Sequence, residues 1–140
     1  RVCFPDHLTA GVIVLSDDLS EVLLNLHAKA GRWFAFGGHL EEYDGSLLDA
    51  ASREGREESG IDWLQLRPEP VHLSRHPVDF CDPRGRVRHL DVRYAATLPT
   101  GTPPAVSDES TQVRWFPITD LPTDEPDMLD LIAAAVAALG

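Results

Sequence analysis

What is scarce in this chain limits it before any motif is read. Its 140 residues include only two cysteines, Cys3 and Cys81. Their separation fits no zinc-ligand spacing and makes no disulfide framework, so a reducing cytoplasm is the simpler setting, with a single bridge left open. Basic residues are few: 12 Lys and Arg stand against 23 Asp and Glu, a formal net charge of −11. Such a surface repels a phosphate polyanion unless one face is locally basic, which argues against a nucleic acid polymer as partner. The longest apolar run, "LIAAAVAALG" near the end, falls well short of the ~20 residues that a membrane span requires. No signal-peptide pattern is visible, although the chain begins at Arg1 without a Met and a removed leader stays open. Internal repeats, low-complexity tracts and domain-dividing linkers are also missing. With 43% hydrophobic and 25% charged residues, the length fits one compact domain spanning 1–140.

The residues that are present alternate between strand and helix patterns. "TAGVIVLS" (9–16) and "VLLNLHA" (22–28), rich in β-branched and aliphatic residues and separated by an acidic turn, read as two paired strands. "WFAF" reads as a short strand, and Gly37 and Gly38 are expected to break the pattern after it. "VHLSRHPVDF" (71–80) and "VRHLDVRYAATL" (87–98) read as a long hairpin turning at "DPRG". "TQVRWF" adds a strand, and the final Ala-rich segment a helix with Pro126 in its first turn. Strands on either side of one central helix, followed by a terminal helix, predict an α/β fold in which a mixed β-sheet lies between helices.

The central helix carries the chemistry. Ser46, followed three residues later by Asp49, forms a capping-box signature, and Gly60 suits a left-handed C-terminal cap, so the helix is expected over 47–59. At 3.6 residues per turn, Glu54, Glu57 and Glu58 fall on the same side as Leu47, Ala50 and Ala51, while Asp49, Ser52, Arg53 and Arg56 make an ordinary solvated face. Three like charges at i, i+3 and i+4 repel. Partly buried, they need protonation, arginine partners or a divalent cation, and a hard ion such as Mg²⁺ prefers carboxylate oxygens. The plainer alternative is a solvated acidic face with no site at all.

The wider pattern resembles the Nudix hydrolase family, whose box runs Gly, five residues, Glu, seven residues, Arg-Glu-U-x-Glu-Glu-x-Gly-U, with U a bulky aliphatic. "REGREESGI" supplies Arg53, Glu54, Glu57, Glu58, Gly60 and Ile61 in order, and Gly38 opens the box. The sequence departs from the pattern at three places. Eight residues separate Asp44 from Arg53, so either Asp44 replaces the first Glu or Gly45 takes its place and the carboxylate is lost. Gly55 stands where an aliphatic is expected, costing core packing and about 1 kcal/mol of helix propensity relative to Ala. Phe36 precedes the glycine pair where relatives often carry proline.

The resemblance implies an α/β/α sandwich and hydrolysis of the pyrophosphate linkage in a nucleoside diphosphate derivative, such as a nucleoside triphosphate, a nucleotide sugar or ADP-ribose, by water attack at phosphorus. It implies Mg²⁺ or Mn²⁺ as cofactor, held by Glu54, Glu57, Glu58 and the Gly38 carbonyl, with one of the glutamates or Glu109 as general base. Arg53 is expected to hold a glutamate through a bidentate pair. Arg84, Arg86 and Arg88, with Arg93, gather around the expected hairpin, where they are expected either to make the one locally basic surface for substrate phosphates or in part to balance the charge of this acidic chain. His72, His76 and His89 sit on strand positions, and Trp33, Tyr94, Trp115 and Phe116 are core or edge residues first, with base stacking as their alternative role. Partners are thus a small phosphoanhydride substrate and, by analogy alone, a second copy in a homodimer. A catalytically weakened nucleotide sensor is the rival function.

Overall fold

The computed structural model describes residues 6–27, 30–82, 85–104 and 110–140, with side chains described at 8–27, 30–74, 90–104 and 112–140. The elements are β1 (Asp6–Ser16), β2 (Glu21–His27), β3 (Trp33–Phe34), β4 (Phe36–His39), α1 (Leu47–Ser59), β5 (His72–Asp82), β6 (Gly85–Leu98), β7 (Ser110–Pro117) and α2 (Pro126–Leu139). The strands form one mixed sheet in the order β3-β2-β1-β6-β5, with β4 pairing β1 and β7 pairing β2. β1 runs parallel to β6 along its whole length, and the remaining pairings are antiparallel. Its other edge is shared, residues 9–12 pairing with β4 and 14–15 with β2.

Side-chain alternation along β1 and β6 divides the core in two. Ala10 and Val92 pack with Ala50 and Ala51 of α1, and Val12, Val14 and Ala96 continue that layer with Phe36 and Leu64. Ile13, Leu15 and Ala95 point the other way, onto Leu131, Ile132 and Ala135 of α2. Both faces of the central strands are therefore covered. That is why "AGVIVL" reads as a continuous apolar run and not as an alternating one. The result is the expected α/β/α sandwich.

Both ends of α1 fall where the caps predict. The Ser46 hydroxyl accepts the Asp49 N–H at 3.1 Å, and Gly60, at φ 72°, closes the helix by donating to the Arg56 carbonyl. The hairpin of β5 and β6 also agrees with the sequence reading, pairing from His72 with Arg93 to Asp82 with Gly85.

Two expectations are corrected. Gly37 and Gly38 do not interrupt the strand pattern; they lie inside β4, opposite Gly11 and Ala10. A Cβ on Gly37 would stand 2.9 Å from the Ala10 carbonyl oxygen, and one on Gly11 2.6 Å from that of Phe36, so the glycines let two backbones close on each other. Gly55, for its part, leaves no void. A Cβ there would meet Val12 Cγ1 at 2.7 Å and Leu64 Cδ2 at 3.1 Å, so buried side chains from β1 and the loop after α1 already fill the space that an aliphatic would take.

Candidate active site

Helix α1 lies against β1 and β4, and its acidic residues meet the glycine pair there. Glu58 is only 5% exposed and accepts the Gly37 N–H through Oε1 at 2.8 Å. The Glu54 carboxylate rests against Gly38, where any added side chain would run into it. Glu57, by contrast, is 61% exposed. The buried stripe of α1 thus runs through Ala50, Ala51, Gly55 and Glu58, with Glu54 at its border and Glu57 on the rim. Spacing alone had grouped the three; the packing of α1 against β1 and β4 separates them.

Arg53 is not a solvated residue and does not take a glutamate as its bidentate partner. Its Nε and Nη2 donate to the two oxygens of Asp44 at 3.0 and 2.9 Å, leaving Nη1 3.8 Å from Glu54 Oε1 and 3.6 Å from Glu57 Oε1. Asp44, with a side chain only 3% exposed, also accepts the Glu41 N–H at 2.8 Å. Of the two readings left open, Asp44 therefore retains the carboxylate, and Gly45 does not displace it. The Arg53 hydrogen bonds hold the Asp44 carboxyl below the usual carboxylate range, while the same pairing raises the Arg53 guanidinium above its ordinary value. Arg56, also assigned to the solvated face, instead donates to the Leu64 carbonyl at 2.8 Å.

A cleft of about 770 Å³ opens on the α2 side of the sheet and reaches Gly37, Gly38 and Glu58. Trp33, Phe34 and Met128 give it apolar surface, and Thr9, Asp91, Arg93 and Asp127 form a polar wall. Trp33 packs edge-on against Phe116, with ring centroids 4.8 Å apart. Arg93, expected among the phosphate-binding arginines, is ion-paired to Asp127 at 2.7 Å and Asp91 at 3.4 Å. Arg32 at the mouth is likewise paired with Glu125. The acids of this wall escaped the sequence reading; their one visible signal was Asp91 and Arg93 two apart on a strand, hence on the same face. Glu109, Arg84 and Cys3 lie outside the described residues. Arg86, Arg88 and His89 belong to β6, and His76 and Cys81 to β5, with side chains outside the described set.

Among the described residues, no three His, Cys, Asp or Glu side chains converge as a ready-made metal cage. The chemistry of the donors nevertheless fits a hard cation: carboxylate oxygens from consecutive helical turns, two of them seated on adjacent strand glycines and the third exposed enough to swing.

The sequence matches the NUDIX domain over residues 5–135. The chain belongs to the NUDIX family. It is 34% identical over 127 residues to the 8-oxo-dGDP phosphatase NUDT18 of Danio rerio, a match covering 88% of this chain and 36% of that protein. The NUDIX chain thus spans about a third of the length of this curated relative. Among solved structures, the E. coli dihydroneopterin triphosphate pyrophosphohydrolase superposes with a TM-score of 0.75 at 17% identity, covering 97% of this chain and 98% of that one. The C. elegans Ap4A hydrolase, solved as a binary complex, superposes with a TM-score of 0.73 at 20% identity, covering 95% and 97%. Identities this low carry the NUDIX fold and nothing about substrate.

Proposed function

We propose that this chain, acting as one domain over 1–140, is a divalent-metal-dependent hydrolase of the phosphoanhydride linkage in a nucleoside diphosphate derivative. The observation that carries the reading is the seating of Glu54 and Glu58 on Gly38 and Gly37 at the rim of a cleft large enough for a nucleotide. Glu54, Glu57, Glu58 and the Gly38 carbonyl would hold Mg²⁺ or Mn²⁺. A bound divalent ion supplies charge neutralisation at the phosphoryl oxygens and a lowered pKa for water. One of the glutamates, or Glu109, takes the proton of the attacking water. Arg53, fixed by Asp44, restrains Glu54 and Glu57 against their mutual repulsion before the cation enters. Arg84, Arg86 and Arg88 are assigned to the substrate phosphates.

The three relatives named above carry 8-oxo-dGDP, dihydroneopterin triphosphate and Ap4A in their names, so the linkage has chemically diverse neighbours. The rival sensor reading drew on Asp44 or Gly45, Gly55 and Phe36. Asp44 keeps its carboxylate on Arg53, the Gly55 space is filled, and Phe36 is buried in the core, so none of these favours it.

The test is release of phosphate or pyrophosphate products from these compounds, ADP-ribose and nucleotide sugars with Mg²⁺ or Mn²⁺, beside Glu57→Gln and Glu58→Gln. Turnover that disappears in both variants and with a chelator is the expected result. Saturable nucleotide and metal binding without turnover would replace the hydrolase by the sensor. No metal binding at all would overturn the reading of α1.

A further inference from the structure

The ladder between β1 and β2 is short. Val14 pairs with Leu23 and Leu15 with Val22, a register that, continued, would set Val12 opposite Asn25. Instead the two strands splay, and the segment 33–39 lines the fork between them. β3 runs in along β2, with Phe34 opposite Asn25, and β4 leaves along β1, with Phe36 opposite Val12. Ala35 is the turn between β3 and β4. Two residues further on, Gly37 donates to Glu58, and Gly38 lies against the Glu54 carboxylate. Whatever fixes the turn at Ala35 therefore fixes the seat of both carboxylates.

Asn25 sits at the apex of this fork. It follows the fully buried Val22, Leu23 and Leu24 and is itself only 2% exposed. An amide so far removed from water is costly unless it is hydrogen-bonded. Its Nδ2 donates to the Phe34 carbonyl at 2.9 Å and to the Ala35 carbonyl at 3.3 Å, spanning the two peptide units of the turn. The Asn25 backbone already lies between β3 and β7, so the side chain is a further attachment at this one point. A leucine of nearly the same size would continue the apolar pattern of β2 and hold neither carbonyl. Phe36, buried in the core, sets how deep the segment lies. The amide adds orientation, because a donor prefers the plane of the carbonyl it meets.

We propose that Asn25 is a positioning residue for the metal site: by tying the Phe34 and Ala35 carbonyls, it holds the turn that aims the Gly37 N–H at Glu58 and sets Gly38 beside Glu54. This rests on the reading of α1 as the holder of a divalent ion. Asn25 acts through the backbone of β4 and not by contact with the ion. Glu58 is almost wholly buried, so its carboxylate is only as well placed as the N–H it accepts. With the turn loosened, an entering cation meets oxygens that are no longer arranged in advance, and its affinity falls.

The experiment is a Mn²⁺ titration, with the free ion followed by electron paramagnetic resonance, on the wild type, Asn25→Leu, Glu58→Gln, the Asn25→Leu/Glu58→Gln double variant and Leu24→Val, with Tm measured for each. Asn25→Leu should weaken Mn²⁺ at least about tenfold, the size of effect that groups supporting metal ligands carry. Leu24→Val removes a methylene from the neighbouring residue of β2, which packs with the α2 side of the core; it should lower Tm and leave Mn²⁺ affinity unchanged. In the Glu58→Gln background, Asn25→Leu should weaken Mn²⁺ by less than about threefold, because the seat it supports is already broken. Should Asn25→Leu not fold, Asn25→Ser, which keeps a polar group but lacks the reach to both carbonyls, is read in the same way. Wild-type Mn²⁺ affinity in the Asn25 variant, a loss undiminished in the Glu58→Gln background, or an equal loss in Leu24→Val would overturn the proposal and leave the metal site standing. A wild type that binds no Mn²⁺ would overturn the reading of α1 itself, and this proposal with it.

Discussion

Removing the Asp44 carboxylate tests whether the altered spacing of the box still holds its arginine. In Asp44→Asn, the two charge-assisted bonds to Arg53, at 3.0 and 2.9 Å, are reduced to at most one neutral acceptor. Hydrogen bonds to charged groups contribute about 1.5–3 kcal/mol each. Arg53 is 18% exposed and keeps Glu54 and Glu57 within reach, so solvent and those acids recover part of the loss. A net cost of about 2 kcal/mol is expected, or about 6–8 °C in Tm for a chain of this size. The measurement is urea unfolding at pH 7 of Asp44→Asn, Arg53→Met and the double variant, and the coupling in the cycle should be about 1–2 kcal/mol. The pH dependence has a defined sign. Because the folded Asp44 carboxyl is depressed below 3.8, its contribution is complete above that value and is lost as pH falls through the lowered folded value. The gap between wild type and Asp44→Asn should therefore narrow on acidification below about pH 4. A coupling below about 0.5 kcal/mol, or a gap indifferent to acid, would refute the assignment of Asp44 as the partner of Arg53.

The two adjacent glycines should respond differently to alanine. Gly38→Ala displaces only the flexible Glu54 carboxylate, so activity should fall at least tenfold with little change in Tm, whereas Gly37→Ala meets the Ala10 carbonyl and Gly11 backbone at 2.9 Å and should cost about 1–3 kcal/mol in unfolding. Gly55→Ala gains about 1 kcal/mol of helix propensity but crowds Val12 and Leu64; chemical denaturation should show no net stabilisation, and a gain approaching that full propensity would mean the contact is loose. The Asp18 carboxyl, drawn down to about 2 by the Ser16 and Ser20 hydroxyls and the Ser20 N–H, should titrate closer to 3.8 by NMR in Ser16→Ala; an unmoved midpoint would count against the Ser16 bond as the main cause.

Much of the fold was legible because its signals are local. The bounds of α1 follow from Ser46 and Gly60, and the hairpin of β5 and β6 from two β-rich runs around a Pro-Gly turn. Local rules failed where a residue answers to another strand or helix. A glycine pair looks like a break to anyone reading along the chain; inside β4, Gly37 allows a close approach to β1 and Gly38 leaves room for the Glu54 carboxylate of α1. Arg53 and Arg56 look solvated on a helical wheel, yet both fold back onto segments flanking α1.

The sequence by itself determined that three glutamates share a helix after a glycine pair, that the helix is capped where it is, and that the chain resembles a phosphoanhydride hydrolase. Each of these depends on residues within a few turns of one another. Only the tertiary structure decided that Glu58 is buried on Gly37 while Glu57 faces solvent, that Asp44 rather than Gly45 meets Arg53, and that Arg93 is tied between Asp91 and Asp127. Those outcomes depend on which strands lie side by side and how α1 and α2 settle on them, and on the selection of partners by burial: a charge removed from water takes whichever opposite charge or donor the packing brings within reach.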